Sequence, residues 1–282
     1  MAGPDPEDPG TSPPDAGTDH HRNSPSHEHP PSHERLEHLE HLVGELITTV
    51  ESGGAALAAN TGRLVPAWRR ATEGEPRFAV TGAVLTIIAL QAAVPERLSL
   101  SGRLVLPVLE TVLLVVLVAS NPRRVTYATR QLRLLSLLLI AVASLANAWS
   151  AGSLVAGLVH GTEGNDPGQL LFTGGNIWLT NIVVFGLWFW DLDRGGPGAR
   201  ARAEKDTPDF LFPQMTAPHL AGPEWEPHFV DYLYLAFTNA TAFSPTDTLP
   251  LSRWSKLAMM LQSAISLTTG ALVIARAVNI LR

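Results

Sequence analysis

The chain has 282 residues, 45% of them apolar, and a formal charge of −6 from 26 acidic and 20 basic side chains. Residues 1–35 supply −5 of that charge, whereas residues 78–190 carry ten charged side chains in 113 positions. A water-exposed surface needs roughly a quarter to a third charged residues, so an ordinary soluble protein is excluded, and so is a strongly basic nucleic-acid binder.

Cysteine is absent, which excludes disulfides, thiolate nucleophiles and cysteine-ligated metals. The N-terminus has no basic patch followed by an apolar stretch, so no cleaved secretory signal is expected and internal segments drive insertion. Residues 1–31, rich in Pro, Asp, Ser, Gly and His, cannot offset their ordering entropy and read as a disordered tail. Seven of the ten histidines lie at or before His41. Clustered imidazoles bind metals and titrate near neutrality, but no spacing here defines a ligand geometry, and a solvated tail is the expectation.

Residues 32–53 form the first expected element, an amphipathic helix. Ser32 caps it, Glu34 suits its first turn, and Leu36, Leu39, Val43, Leu46 and Val50 follow a 3-4-3-4 spacing up to Gly53-Gly54. Its acidic face of Glu37, Glu40, Glu45 and Glu51 opposes binding to anionic lipid, which leaves self-association or packing on the membrane domain.

After a linker over 54–77, residues 78–282 read as a transmembrane domain. Five spans are expected at about 78–95, 104–120, 134–160, 168–190 and 254–281, each an apolar run of membrane-crossing length. The fourth closes on Trp188-Phe189-Trp190, where an interfacial aromatic belt is expected. Residues 191–228 read as an exposed loop. Residues 229–245 are apolar and aromatic but offer only 15 uncharged positions, from Tyr232 to Thr246, about 22 Å of helix. They form either a short sixth span or a half-membrane segment over Phe229–Ala242, turning back through Ser244-Pro245-Thr246 because Pro245 cannot continue a helix. Pro250 and Ser252 then open the last helix. The fold class is all-α: a polytopic membrane protein with five transmembrane helices, one pore-helix-like or sixth segment, and a disordered N-terminal tail.

Several polar groups fall inside these spans. Glu110 lies about 9 Å below one end of the second, where an ionised carboxylate is costly. It reads as an ion or proton site, or as a group reaching Arg103 or Arg97. Asn147, Asn176 and Asn181 read as inter-helix hydrogen-bonding groups. No nucleophile–base motif, phosphate-binding glycine loop or metal-ligand helix occurs, so no enzyme activity, cofactor or metal is expected.

The C-terminal stretch DYLYLAFTNATAFSPTDTLPLSRWSKLAMMLQSAISLTTGALVIARAVNIL resembles the pore helix, filter and inner helix of the potassium-channel superfamily. The resemblance places Thr238, Asn239 and Thr241 at the Thr-rich end of a pore helix, Asp247 at the acid after the filter, and Pro250 at the turn. The filter glycines fall at Ser244 and Thr246, and the filter aromatic at Pro245. The whole chain also resembles uncharacterised bacterial polytopic membrane proteins, through Trp190-Asp191-Leu192-Asp193-Arg194-Gly195-Gly196-Pro197 and Asp209-Phe210-Leu211-Phe212-Pro213-Gln214. That resemblance implies membrane location without an assigned activity.

With 229–245 counted as a span, twelve bases in the 54–77, 121–133 and 191–228 segments face one side, against Arg97, Arg103, Arg253 and Lys256 on the other. This bias places the N-terminus in the cytoplasm. The expectation is a multi-pass protein of the bacterial plasma membrane with a channel-like, transport-related activity. Glu110, Thr238, Asn239, Thr241, Ser244, Thr246 and Asp247 are its pathway candidates. The alternative is a non-transporting scaffold that assembles partners through its tail and amphipathic helix. Expected partners are the lipid bilayer and further copies of the chain, and not nucleic acid.

Overall fold

The computed structural model describes residues 37, 39–53, 65–120, 124–125, 130–164, 166–222, 224–241 and 247–281. The tail over 1–31, the Ser32 cap, most of the linker and the turn through Ser244-Pro245-Thr246 lie outside the described residues. The chain divides into two units, residues 1–60 and 61–282. In the first, residues 39–53 form helix α1, and its apolar positions Leu39, Val43, Leu46 and Val50 are all exposed.

The second unit is mostly helical. Its helices are α2 (Phe78–Ala93), α3 (Val105–Ser120), α4 (Arg130–His160), α5 (Pro167–Leu192), α6 (Pro197–Ala201), α7 (Pro213–Thr216), α8 (Phe229–Thr241) and α9 (Arg253–Leu281). Local chemistry sets their ends. Asp166 caps α5 by accepting from the backbone N–H groups of Gly168 and Gln169, with Pro167 preset at the first helical position. Val94, held extended ahead of Pro95, stops α2. As expected, Ser252 opens α9, its hydroxyl accepting from the Ser255 N–H.

Three helical stretches are long and apolar enough to cross a membrane: Arg130–His160, Pro167–Gly195 and Arg253–Leu281. They coincide with three of the five expected spans. The other two expected spans are also helices, α2 and α3, but each has 16 residues, about 24 Å of helix against a hydrocarbon core of about 30 Å.

Two small antiparallel pairs gather the connections at one end of the unit. Strand β1 (Glu75–Pro76) pairs with β2 (Arg124–Val125), and β3 (Phe210–Leu211) pairs with β4 (Leu249–Pro250). Glu75 also accepts from the Trp190 indole N–H at 2.6 Å and from the Phe229 N–H at 2.5 Å. The start of α2, the end of α5 and the start of α8 therefore share this end. Because it carries most of the basic residues, it is called the basic end below. At the far end, Arg97 pairs with Glu163 at 2.6 Å, and the Ser150 hydroxyl donates to the Leu98 carbonyl.

α8 and α9 both depart from the basic end, since β4 lies against β3 and the Leu251 N–H donates to the Asp209 carbonyl at 2.8 Å. The 13 residues of α8 extend about 20 Å into the bundle. Only eight residue steps separate Thr241 from Leu249, a reach of at most about 28 Å. The chain thus enters along α8 and returns to the end it started from. α5 is the central element, packed by α2, α4, α8 and α9. Gly186 permits the close approach of α8, because a Cβ there would stand 3.2 Å from the Leu233 Cα.

Two expectations are corrected. Residues 191–228 are not simply an exposed loop: Asp191, Asp193, Arg194, Arg200 and Phe210 are all buried, and the Asp193, Arg194 and Arg200 side chains engage backbone groups there. Nor do Phe189 and Trp190 form an outward belt, since both are 0% exposed. The Trp190 indole finds Glu75, and the Trp188 indole donates to the Ser144 hydroxyl at 2.8 Å, so these aromatics serve the core.

Candidate functional site

The last turn of α8 holds three of the expected pathway residues. Thr238 and Thr241 turn back on their own helix: Thr238 Oγ1 donates to the Tyr234 carbonyl and Thr241 Oγ1 to the Thr238 carbonyl, both at 3.0 Å. Asn239 reaches across to α9, where its Nδ2 donates to Gln262 Oε1 at 2.7 Å and to the Met259 carbonyl at 3.0 Å. Asn239 Oδ1 accepts from the Ser263 hydroxyl at 3.1 Å. Gln262, fully buried, donates from Nε2 to the Ala236 carbonyl at 2.8 Å. From α5, Asn181 donates to Ser266 Oγ at 2.9 Å and to the Gln262 carbonyl at 3.3 Å.

This network ties α5, α8 and α9 together at one depth. The side-chain nitrogen and oxygen of both Asn239 and Gln262 are engaged, so these groups join helices rather than line an open path. The reading of Asn181 as an inter-helix group agrees with this geometry, as does Asn176, whose Nδ2 donates to the Leu90 carbonyl of α2 at 2.9 Å. The sequence reading missed Gln262 and Ser266, although a signal existed: Ser255, Gln262, Ser266 and Thr269 fall on one helical face and are all buried. Ser244 and Thr246 lie outside the described residues. Asp247 is exposed, two residues before β4.

Glu110 sits elsewhere. It lies on the buried stripe Pro107-Glu110-Leu114-Leu117 of α3, the face turned to α2 and α4, and is 0% exposed. Neither carboxylate oxygen has a hydrogen-bond partner among the described residues. The arginines that could neutralise it are committed: Arg97 to Glu163, and Arg103, whose Nε donates to the Ala92 carbonyl at 2.8 Å. The reading in which Glu110 reaches an interfacial arginine is therefore corrected. The side chain facing the carboxyl is Gln91 of α2, whose Nε2 donates to the Ala143 carbonyl of α4 at 3.3 Å.

The densest polar cluster joins the two phrases quoted above, 190–197 and 209–214. Asp193 accepts from the Asp209 and Phe210 N–H groups at 2.8 and 3.3 Å and from the Tyr232 hydroxyl at 2.6 Å. Asp209 in turn accepts from the Arg194 N–H at 2.9 Å and from the Trp254 indole at 2.8 Å. Arg200 closes α5 by donating to the Trp190 and Asp193 carbonyls at 2.6 and 3.1 Å, where a cation suits the negative end of the helix. Its guanidinium also lies 5.2 Å from the Tyr232 ring centre. Burial opposes its charge, but the Tyr232 oxygen and the carboxylates of Asp193, Glu75 and Asp191 outweigh it and hold its pKa above the ordinary arginine value. The cavity beside Arg200 is only about 10 Å³, so this cluster is an anchor that fixes α5, α8 and α9 at the basic end rather than a ligand site.

Among the described residues, no three His, Asp or Glu side chains converge as metal ligands would. No protein-family model, curated protein or solved structure matches this chain.

Proposed function

We propose that the protein is an integral plasma-membrane protein of the transport class, with five crossing helices and α8 as a half-membrane segment inserted from the cytoplasmic side. The observation that carries this reading is that α8 and α9 both leave the basic end while α8 stops part-way. An apolar 13-residue helix followed by an immediate return suits a re-entrant segment enclosed by protein. Its C-terminal carbonyls carry partial negative charge into the interior, which favours a cation there. In this arrangement Arg253 and Lys256 join the twelve bases on the basic end, so the positive-inside bias strengthens. The 16-residue helices α2 and α3 span a locally thinned bilayer, and α3 supports this by exposing Val105, Val108, Val112 and Val115 on its outer face.

The potassium-channel resemblance enters here as layout only, a short helix followed by a long inner helix, entered from the cytoplasm. The pathway forms where copies of the chain meet around the α8 tips. Two measurements test this reading. A cysteine at Asp247 is expected to label from the same side as one at Glu204, and from the side opposite one at Thr162. Labelling of 247 together with 162 refutes the half-segment. Reconstituted protein is expected to pass small cations, and a flux indistinguishable from empty vesicles across a pH series refutes the transport class.

The scaffold reading is favoured by one observation, the exposed apolar stripe of α1. Deleting residues 1–53 separates the two readings: a scaffold loses its co-purifying proteins, whereas a transporter keeps its flux.

A further inference from the structure

Glu110 and Gln91 form a pair away from the α8–α9 elements. In a membrane, an acid without a counter-charge is costly unless it carries a proton, holds a cation or touches water. Among the described residues, the counter-charge is missing from every side. α2 contains no titratable residue, and α4 carries only Arg130, Arg133 and His160 at its two ends, far from Ala143, which marks the level of Gln91. Arg97 and Arg103 are engaged elsewhere. A metal cation is poorly served, because the two Glu110 oxygens and Gln91 Oε1 make three side-chain oxygens where hard divalent cations take about six or more. A proton needs no such shell. Toward the basic end, Leu114 and Leu117 continue the same face of α3 and separate Glu110 from a cavity of about 20 Å³ that both residues line with Arg77 and Ser136.

We infer that Glu110, positioned by Gln91, is a proton-exchange site: the carboxylate takes up one proton from water and returns it. This inference rests on the reading that α3 lies in the membrane, but not on the path taken by α8.

The test uses the full chain in phosphatidylcholine–phosphatidylglycerol vesicles and the membrane-soluble reagent dicyclohexylcarbodiimide. The protonated carboxyl adds across the carbodiimide, its proton passing to nitrogen, and the adduct rearranges to a stable N-acylurea whose mass marks the modified peptide. Labelling is expected at Glu110, falling about tenfold per pH unit above its midpoint within a series from about pH 5 to about pH 9. Glu110→Gln removes that adduct. Gln91→Leu moves the midpoint, whereas Thr86→Ala, on the exposed side of α2, leaves it in place. Absent or pH-independent labelling overturns the inference. Protection by Na⁺ or K⁺ at constant pH and ionic strength also overturns it, reassigning the site to a metal cation. Equal labelling by a water-soluble carbodiimide instead removes the membrane reading of α3, so the two failures are distinguishable.

Discussion

Replacing Asp193 by Asn tests the anchor at the basic end while changing almost nothing in shape. The carboxylate is fully buried and accepts three hydrogen bonds, two from backbone N–H groups and one from Tyr232. An asparagine oxygen keeps the two backbone donors, but its amide presents a donor to the Tyr232 hydroxyl. The buried guanidinium of Arg200 also loses one of the three carboxylates around it, but keeps Glu75 and Asp191. One lost charge-assisted bond is worth about 1.5–3 kcal/mol, and that is the total expected. Because Asp193 is fully buried, solvent screening does not reduce it. At about 2–4 °C per kcal/mol for a unit of this size, the melting temperature should fall by about 3–12 °C. Thermal unfolding of detergent-solubilised protein, followed by tryptophan fluorescence, reads this directly. Tyr232→Phe should cost about 1–3 kcal/mol, since it removes the same bond and leaves the carboxylate in place. An Asp193→Asn protein melting within about 2 °C of the parent, a change under about 1 kcal/mol, refutes the claim that this cluster holds the helices together.

Gly196→Ala should lower stability by at least about 1–2 kcal/mol, because Gly196 has φ 95° and a Cβ there would lie 2.6 Å from the Asp191 carbonyl. Gly164→Ala, where a Cβ meets open space, serves as the silent control in the same unfolding assay. Gln262→Leu should cost about 1–3 kcal/mol, at roughly 0.5–1.5 kcal/mol for each of its two side-chain bonds. Asn239→Ala in the Gln262→Leu background should then add less than it does alone, and full additivity refutes the shared network.

Much of the architecture was legible in the residues themselves, and the reason is locality. Apolar runs, a serine before a helix and a proline after one are properties of neighbouring residues. The helices of α2, α3, α4, α5 and α9 therefore fall close to the expected spans, and α8 ends at Thr241 near the expected limit. The same logic misjudged 191–228. Its charges and glycines look solvated in any local window, yet Asp193 is buried by meeting Asp209 and Tyr232, 16 and 39 positions away. The candidate residues divide in the same way: Asn239 was recognisable as an unusual polar group, but its engagement by Gln262 and Ser263 was not.

By itself, the sequence determined that the second unit is a set of apolar helices, where most of them begin and end, and that α8 is short for a crossing. Burial free energy and helix capping act over a few residues, and composition records them. Only the tertiary structure decided that α8 and α9 start from the same end, that Arg200 caps α5, and that Glu110 faces Gln91 with no arginine partner among the described residues. Those outcomes depend on which distant groups meet, since a charge removed from water is stable only beside its partner, and partners far apart in the chain leave no mark on local patterning.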